Sequence, residues 1–199
     1  MIERGSAADK DMVLAFLKAE IDSPRFGSYY GAILTQWGLD RTLLIDRADL
    51  GNMKDNQIRT ELLKAVRGYT AGQYLFAGFP PNVQWRRTDL EPTELKRLKY
   101  ANFPTWVTLS SGSRLVSEGA KNIDTIQAAE NADVNIKAVA EQLRRGKRYP
   151  ELIVVQGPGE DLIVVEGHTR ATAYVLAEHA EPIPLLVGTS SLLHQWAFY

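Results

Sequence analysis

Cysteine is absent from the 199 residues. Disulfides, thiolate zinc sites, iron–sulfur clusters and thiol nucleophiles are thereby excluded at once. Histidine is scarce, at three (His168, His179 and His194), so a His-rich metal centre is not expected. Only carboxylate sites for a hard cation such as Mg²⁺ remain open. No excess of one charge exists either: 23 Lys+Arg stand against 24 Asp+Glu. A global pull toward nucleic acid or an anionic membrane is not expected, and a nucleic-acid role needs a local basic patch. No run approaches the roughly 18 apolar residues of a membrane span. The first ten residues, Met1 to Lys10, carry no apolar signal-peptide core. The expectation is a cytoplasmic protein with no membrane partner.

What is present suits a folded chain. The composition is 45% hydrophobic and 24% charged, with ordinary Gly and Pro usage, which rules out a disordered tail or a fibre. The first half reads as mostly helical. Asp9 or Asp11 can cap a helix carrying Met12, Val13, Phe16, Leu17 and Ile21. Pro24 and Gly27 interrupt it, and Phe26 to Trp37 brings Tyr29, Tyr30, Ile33, Leu34 and Trp37 at helical spacing. Thr42 to Asp46 is ambiguous between strand and helix. A helix from about Asp55 to Gly68 buries Ile58, Leu62, Ala65, Val66 and Tyr69, with Gly68 as its C-terminal cap. The aromatics Tyr29, Tyr30, Trp37, Tyr69, Tyr74, Phe76 and Phe79 are expected in the core. Beyond them come a loop with a short strand at Val83 to Trp85, and a helix opened by Pro92 and ended by Pro104. A strand at Trp106 to Leu109 and a turn at Ser110 to Ser113 follow.

The last third is more legible. Asp133 can cap a helix with Ile136, Val139, Ala140 and Leu143 on one face, closed by Gly146. Leu152 to Val155 and Leu162 to Val165 are all-apolar, β-rich runs around Gly157-Pro158-Gly159, a hairpin with both faces covered. Glu166-Gly167-His168-Thr169-Arg170 then leads into a helix, and Ile183 to Val187 is a further strand. The last strand, helix and strand are expected to form a crossover unit.

The Glu166 to Arg170 turn carries the most chemistry. A glycine at a strand-to-helix junction lets backbone approach a ligand, and the free N–H groups of the next helix attract an anion. Arg170 adds a planar cation suited to phosphate, Thr169 a cap or a hydroxyl, and Glu166 a ligand for Mg²⁺ or a base. The competing reading makes Thr169 a cap and His168 and Arg170 surface residues.

The helix ending Leu143-Arg144-Arg145-Gly146, the hairpin, and Glu166 to Ala173 leading to Ile183 to Val187 together resemble the ParB/sulfiredoxin superfamily, over about Val134 to Val187. That resemblance implies an α/β protein: a small mixed sheet with helices in residues 105–199 and a mostly helical region, 1–104, packed against it. It further implies nucleotide phosphates bound at Gly167, His168, Thr169 and Arg170, with ATP or CTP and Mg²⁺ at Glu166. Members include partition CTPases, sulfiredoxins and free serine kinases. With no cysteine, sulfinic-acid reduction is excluded. Only Gly188 to Tyr199 follows the unit, too short for the helix-turn-helix of partition proteins; this apolar tail is expected to fold back or to form a subunit contact, such as a homodimer's. The superfamily's second loop corresponds to Trp106 to Arg114, followed by Glu118. Ser113 and Arg114 would then close over phosphates, and Glu118 or Glu166 would act as base, with His168 beside them; an ordinary surface turn is the alternative.

Arg144, Arg145, Lys147 and Arg148 surround a helix C-terminus, where cations match the helix dipole. They also suit a second phosphate contact or a nucleic-acid patch, which Arg86 and Arg87 after Trp85 would extend. The resulting expectation is nucleotide-dependent phosphoryl transfer to a small-molecule substrate, or nucleotide hydrolysis. A non-catalytic regulator, nucleotide-sensing or associated with nucleic acid, is the alternative.

Overall fold

The computed structural model describes residues 1–127, 132–157 and 159–199. The first half contains β1 (Ile2–Ala7), α1 (Asp9–Glu20), α2 (Gly27–Trp37), α3 (Met53–Arg67), β2 (Gln84–Leu90) and β3 (Leu98–Tyr100). After them come α4 (Pro104–Leu109), α5 (Val116–Lys121), α6 (Ala132–Arg144), β4 (Leu152–Gln156), β5 (Leu162–Glu166), α7 (His168–Leu176) and β6 (Ile183–Thr189). Pro158 and the side chain of Asp133, the expected cap, lie outside the described residues. Among the described residues, no helix is long and apolar enough to cross a membrane.

The strands form one mixed six-stranded sheet in the order β1-β2-β6-β4-β5-β3. It takes strands from both sides of residue 104. β4 and β5 are the expected hairpin, antiparallel with Val154 opposite Val164. The crossover differs from expectation. β6 lies parallel to β4, with Val154 opposite Val187, not beside β5. Because the hairpin already occupies one flank of β4, α7 carries the chain over to the other flank.

Period-two alternation explains why these runs are apolar throughout. Ile153, Val155, Ile163, Val165 and Leu186 face a core built with Met12, Phe16 and Leu17 of α1, Tyr30 of α2, Leu62 of α3 and Trp196 of the tail. Leu152, Val154, Leu162, Val164, Leu185 and Val187 face the other core, with Ile136 and Ala140 of α6 and Ala171 and Tyr174 of α7. The tail folds back on the helical layer: the Trp196 indole N–H donates to the Leu75 carbonyl at 2.7 Å, and the Ala197 N–H to that of Ala77 at 2.9 Å.

Several local expectations are corrected. Trp106 to Leu109 is helical, because Pro104 opens α4 at its first turn instead of ending a helix, while Phe103 before it is extended. The segment after Pro92 is a 3-10 turn, Pro92–Arg97, that gives way to β3. Thr42–Asp46 is a π-helical turn. Three expected core aromatics are exposed: Tyr29 (62%), Trp37 (41%) and Tyr74 (66%). α2 turns Tyr30, Ile33 and Leu34 inward, so Tyr29 lies off that stripe, while Trp37 continues it but is the last residue of the helix. The α1 cap also differs: Ala8 precedes the helix, and the Asp11 carboxylate reaches back to accept the Ala8 N–H at 2.9 Å.

Candidate functional site

At the end of β5 the chain turns through Gly167, whose φ of +100° lies in the left-handed region that glycine tolerates. A Cβ there would also come within 2.5 Å of a Leu152 methyl. Gly167 is the N-cap of α7, so Thr169 sits inside the helix and is not its cap. The Arg170 guanidinium, 8% exposed, turns inward. Its Nη2 pairs with the Glu166 carboxylate, and its Nη1 donates to the Pro150 and Glu151 carbonyls. The Glu166 carboxylate also accepts the Gly167 N–H. An internal anion therefore already occupies the start of α7, where the sequence suggests a phosphate. Burial pushes the Glu166 carboxyl upward against the pull of Arg170 and Arg67.

His168 is enclosed by rings. It stacks on Trp106 (centroids 5.3 Å apart, planes 19° apart) and meets the edge of Phe103 at 5.8 Å. Its Nε2 accepts the Ala101 N–H at 3.3 Å, which assigns the neutral tautomer with its proton on Nδ1. Burial, then the nearby cations Arg67, Arg114 and Arg25, push its pKa down to about 3. A neutral, ring-packed imidazole with a committed acceptor nitrogen has a structural role.

The helical layer brings a second buried carboxylate to this place. Glu20 ends α1 and is 6% exposed. It accepts from the Tyr30 hydroxyl at 2.9 Å, and the Arg67 Nε lies 3.4 Å away, within ion-pair distance but without hydrogen-bond geometry. Arg67 is packed over the Phe26 ring at 4.1 Å. Burial raises the Glu20 pKa to about 7 against Arg67, and the charge on Glu166 adds to the rise. The sequence reading omits Glu20 and Arg67. The available signal is spacing: Glu20 follows Met12 and Phe16 at steps of four, the next place on an apolar stripe.

The second loop assembles around Arg114, held at φ +62°. Its Nε donates to the Tyr100 carbonyl and its Nη1 to that of Tyr199, both at 2.9 Å. Its Nη2 is sealed from solvent and has no partner among the described residues. Arg114 lines a cavity of about 190 Å³ with Lys99, Asp161 and the glycines of the β4–β5 turn. A Cβ on Gly157 would strike the Tyr199 hydroxyl at 1.7 Å, so the turn can sit here only without a side chain. Lys99 pairs with Asp161 at 2.6 Å. Ser113 shapes the turn, its hydroxyl donating to the Ser110 carbonyl at 2.8 Å. Glu118, on α5, pairs with Lys121 at 2.8 Å. The structure thus brings Arg114 close to His168, while Ser113 and Glu118 are engaged locally.

Mg²⁺ does not fit at Glu166, whose carboxylate is held by a guanidinium and a backbone amide. No group of three or more His, Asp or Glu able to hold a metal exists among the described residues. The basic patch is also smaller than expected. Arg87 is drawn to Asp11 and Glu151, at 3.0 and 3.2 Å, and Arg86 to Gln156 at 2.9 Å. Arg144 and Arg145 pair with Glu141.

No family model matches the chain, and comparison with curated proteins and with solved structures finds no match.

Proposed function

We propose that this protein binds a phosphate-bearing ligand, a nucleotide of the ATP or CTP kind, with its phosphates against Arg114 and Lys99, and that it works as a nucleotide-responsive binding module. The observation that carries this reading is the 190 Å³ cavity itself, where the cations Arg114 and Lys99 meet the glycines of the β4–β5 turn. A guanidinium and an ammonium lining one small space suit phosphate oxygens. The glycine turn opposite lets backbone approach the ligand. A space of this size takes phosphate groups, leaving sugar and base to project outward. The order helix, strand, strand, helix, strand supports assigning residues 132–189 to the ParB/sulfiredoxin kind of fold. Binding is favoured over phosphoryl transfer because Glu166 is committed to Arg170, His168 to the Ala101 amide and Glu118 to Lys121.

Thermal unfolding with ATP, CTP, ADP and inorganic phosphate tests this. A ligand at a hundred times its Kd stabilises by about 2.7 kcal/mol, which is roughly 5–10 °C at this chain length. Lys99→Ala and Arg114→Ala should remove that increment, whereas Arg170→Ala should lower the starting Tm and leave the increment. No shift with any nucleotide, or a shift indifferent to Lys99 and Arg114, overturns the assignment. Release of ADP on adding a metabolite overturns the absence of turnover.

A further inference from the structure

A second concavity of about 740 Å³ lies where the C-terminal ends of α6 and α7 meet the start of β6. Its volume is that of a small-molecule site. Its two walls carry opposite charge. The segment after α6 contributes Lys147 and Arg148, and the segment after α7 contributes Glu178 and Glu181. Arg148, Glu178 and Glu181 have no side-chain partner among the described residues, and Lys147 donates to the neutral Gln142 amide at 2.7 Å and lies over the Tyr149 ring at 5.0 Å, with no carboxylate against it. The other charges of the groove are already matched, Arg4 to Asp89 at 3.2 Å and Arg144 to Glu141.

The floor supplies an independent pointer. Tyr174 is 3% exposed and lines the groove, yet its hydroxyl makes no hydrogen bond among the described residues. The neighbouring Tyr149, by contrast, is satisfied by Gln142 at 2.6 Å. The ring is enclosed while the hydroxyl opens onto the groove, where it is free to hydrogen-bond a ligand atom. The His179 ring packs on Tyr174 at 5.0 Å and holds it in place.

We infer that this groove binds a short zwitterionic peptide, its carboxylate toward Lys147 and Arg148, its ammonium toward Glu178 and Glu181, and a polar backbone atom on the Tyr174 hydroxyl. A simple anion would leave the acidic wall unmatched and repelled. A single-stranded nucleic acid would meet the same wall and would find Tyr174 too buried to serve as a stacking platform. The site is separate from the Arg114 cavity, so neither reading depends on the other.

Trialanine, its N-acetylated form, its C-amidated form and inorganic phosphate, each titrated into ¹⁵N-labelled full-length protein, test the inference. Trialanine should shift resonances of residues 147–149 and 177–182 saturably, and blocking either terminus should weaken binding about three- to tenfold. Tyr174→Phe should weaken trialanine by a similar factor while leaving the spectrum folded. Arg148→Glu and Glu181→Lys, both at exposed positions, should each weaken it too. Absence of saturable shifts, equal binding of the blocked peptides, or the same pattern with inorganic phosphate overturns the inference.

Discussion

Glu166 and Arg170, one helical turn apart across the start of α7, form an ion pair whose side chains keep 13% and 9% of their exposure. The pair joins the end of β5 to the entry of β4, because the same guanidinium also binds the Pro150 and Glu151 carbonyls. Removing one member of a buried pair leaves the other charge uncompensated. Glu166→Gln or Arg170→Met should therefore cost about 3–5 kcal/mol in urea unfolding. The double variant should cost clearly less than the sum of the two, since the charges depend on each other. Additive losses would show that the pair does not couple.

Glu20 gives the stability a pH dependence of unusual sign. Its folded pKa, about 7, lies above its ordinary value of 4.5, so the native state holds more protons between those limits. Stability from this group is fully present below about pH 4.5 and is lost as pH rises through 7. The loss is on the order of 3 kcal/mol. Glu20→Gln, which keeps an acceptor for Tyr30, should flatten that limb and be more stable than the parent at pH 8. Urea midpoints from pH 4 to 9 check it.

His168 acts in the opposite sense. Its folded pKa, about 3, lies below its ordinary 6.5, so the unfolded chain holds the extra proton between these values. Stability from the neutral ring is present above about pH 6.5 and drains away as pH falls toward 3. His168→Gln should remove this acid limb. In the parent, the His168 ring resonances should show the Nδ1–H tautomer unchanged at pH 5.

What the sequence reveals here follows how local each determinant is. The β4–β5 hairpin, the helix before it and α3 with Gly68 at its end are written in periodicity and caps. Trp106 to Leu109 misleads because a four-residue run fits either period, and the helix is set by Pro104 at its first turn together with the docking of Trp106 on Tyr100 and His168. The turn at Glu166 is legible as a special place, but its use is not. Arg170 can face a ligand or its own chain, and the carbonyls that draw it inward belong to Pro150 and Glu151, some twenty residues away in sequence. Glu20 and Arg67 reach the same place from other helices, which no local pattern announces.

Arg59 shows how a buried cation organises the helical layer. It is 1% exposed in α3, and its Nε donates to the Leu44 carbonyl at 2.6 Å and its Nη2 to that of Asp49 at 3.2 Å, while Nη1 binds the Asn56 side chain. These bonds hold the π-helical turn and the loop after it, where the Asp49 carbonyl otherwise accepts only the Asn52 N–H at 3.4 Å. Arg59→Lys keeps the charge but offers one nitrogen in place of a fork, so it should not rescue the site. Each carbonyl left unsatisfied costs about 1–3 kcal/mol, so Arg59→Lys and Arg59→Met should both destabilise by roughly 3 kcal/mol. Amide exchange should quicken at residues 42–50 well before it does in the central sheet. Equal quickening in β4 and β6 would mean that Arg59 supports the whole molecule, not this loop alone.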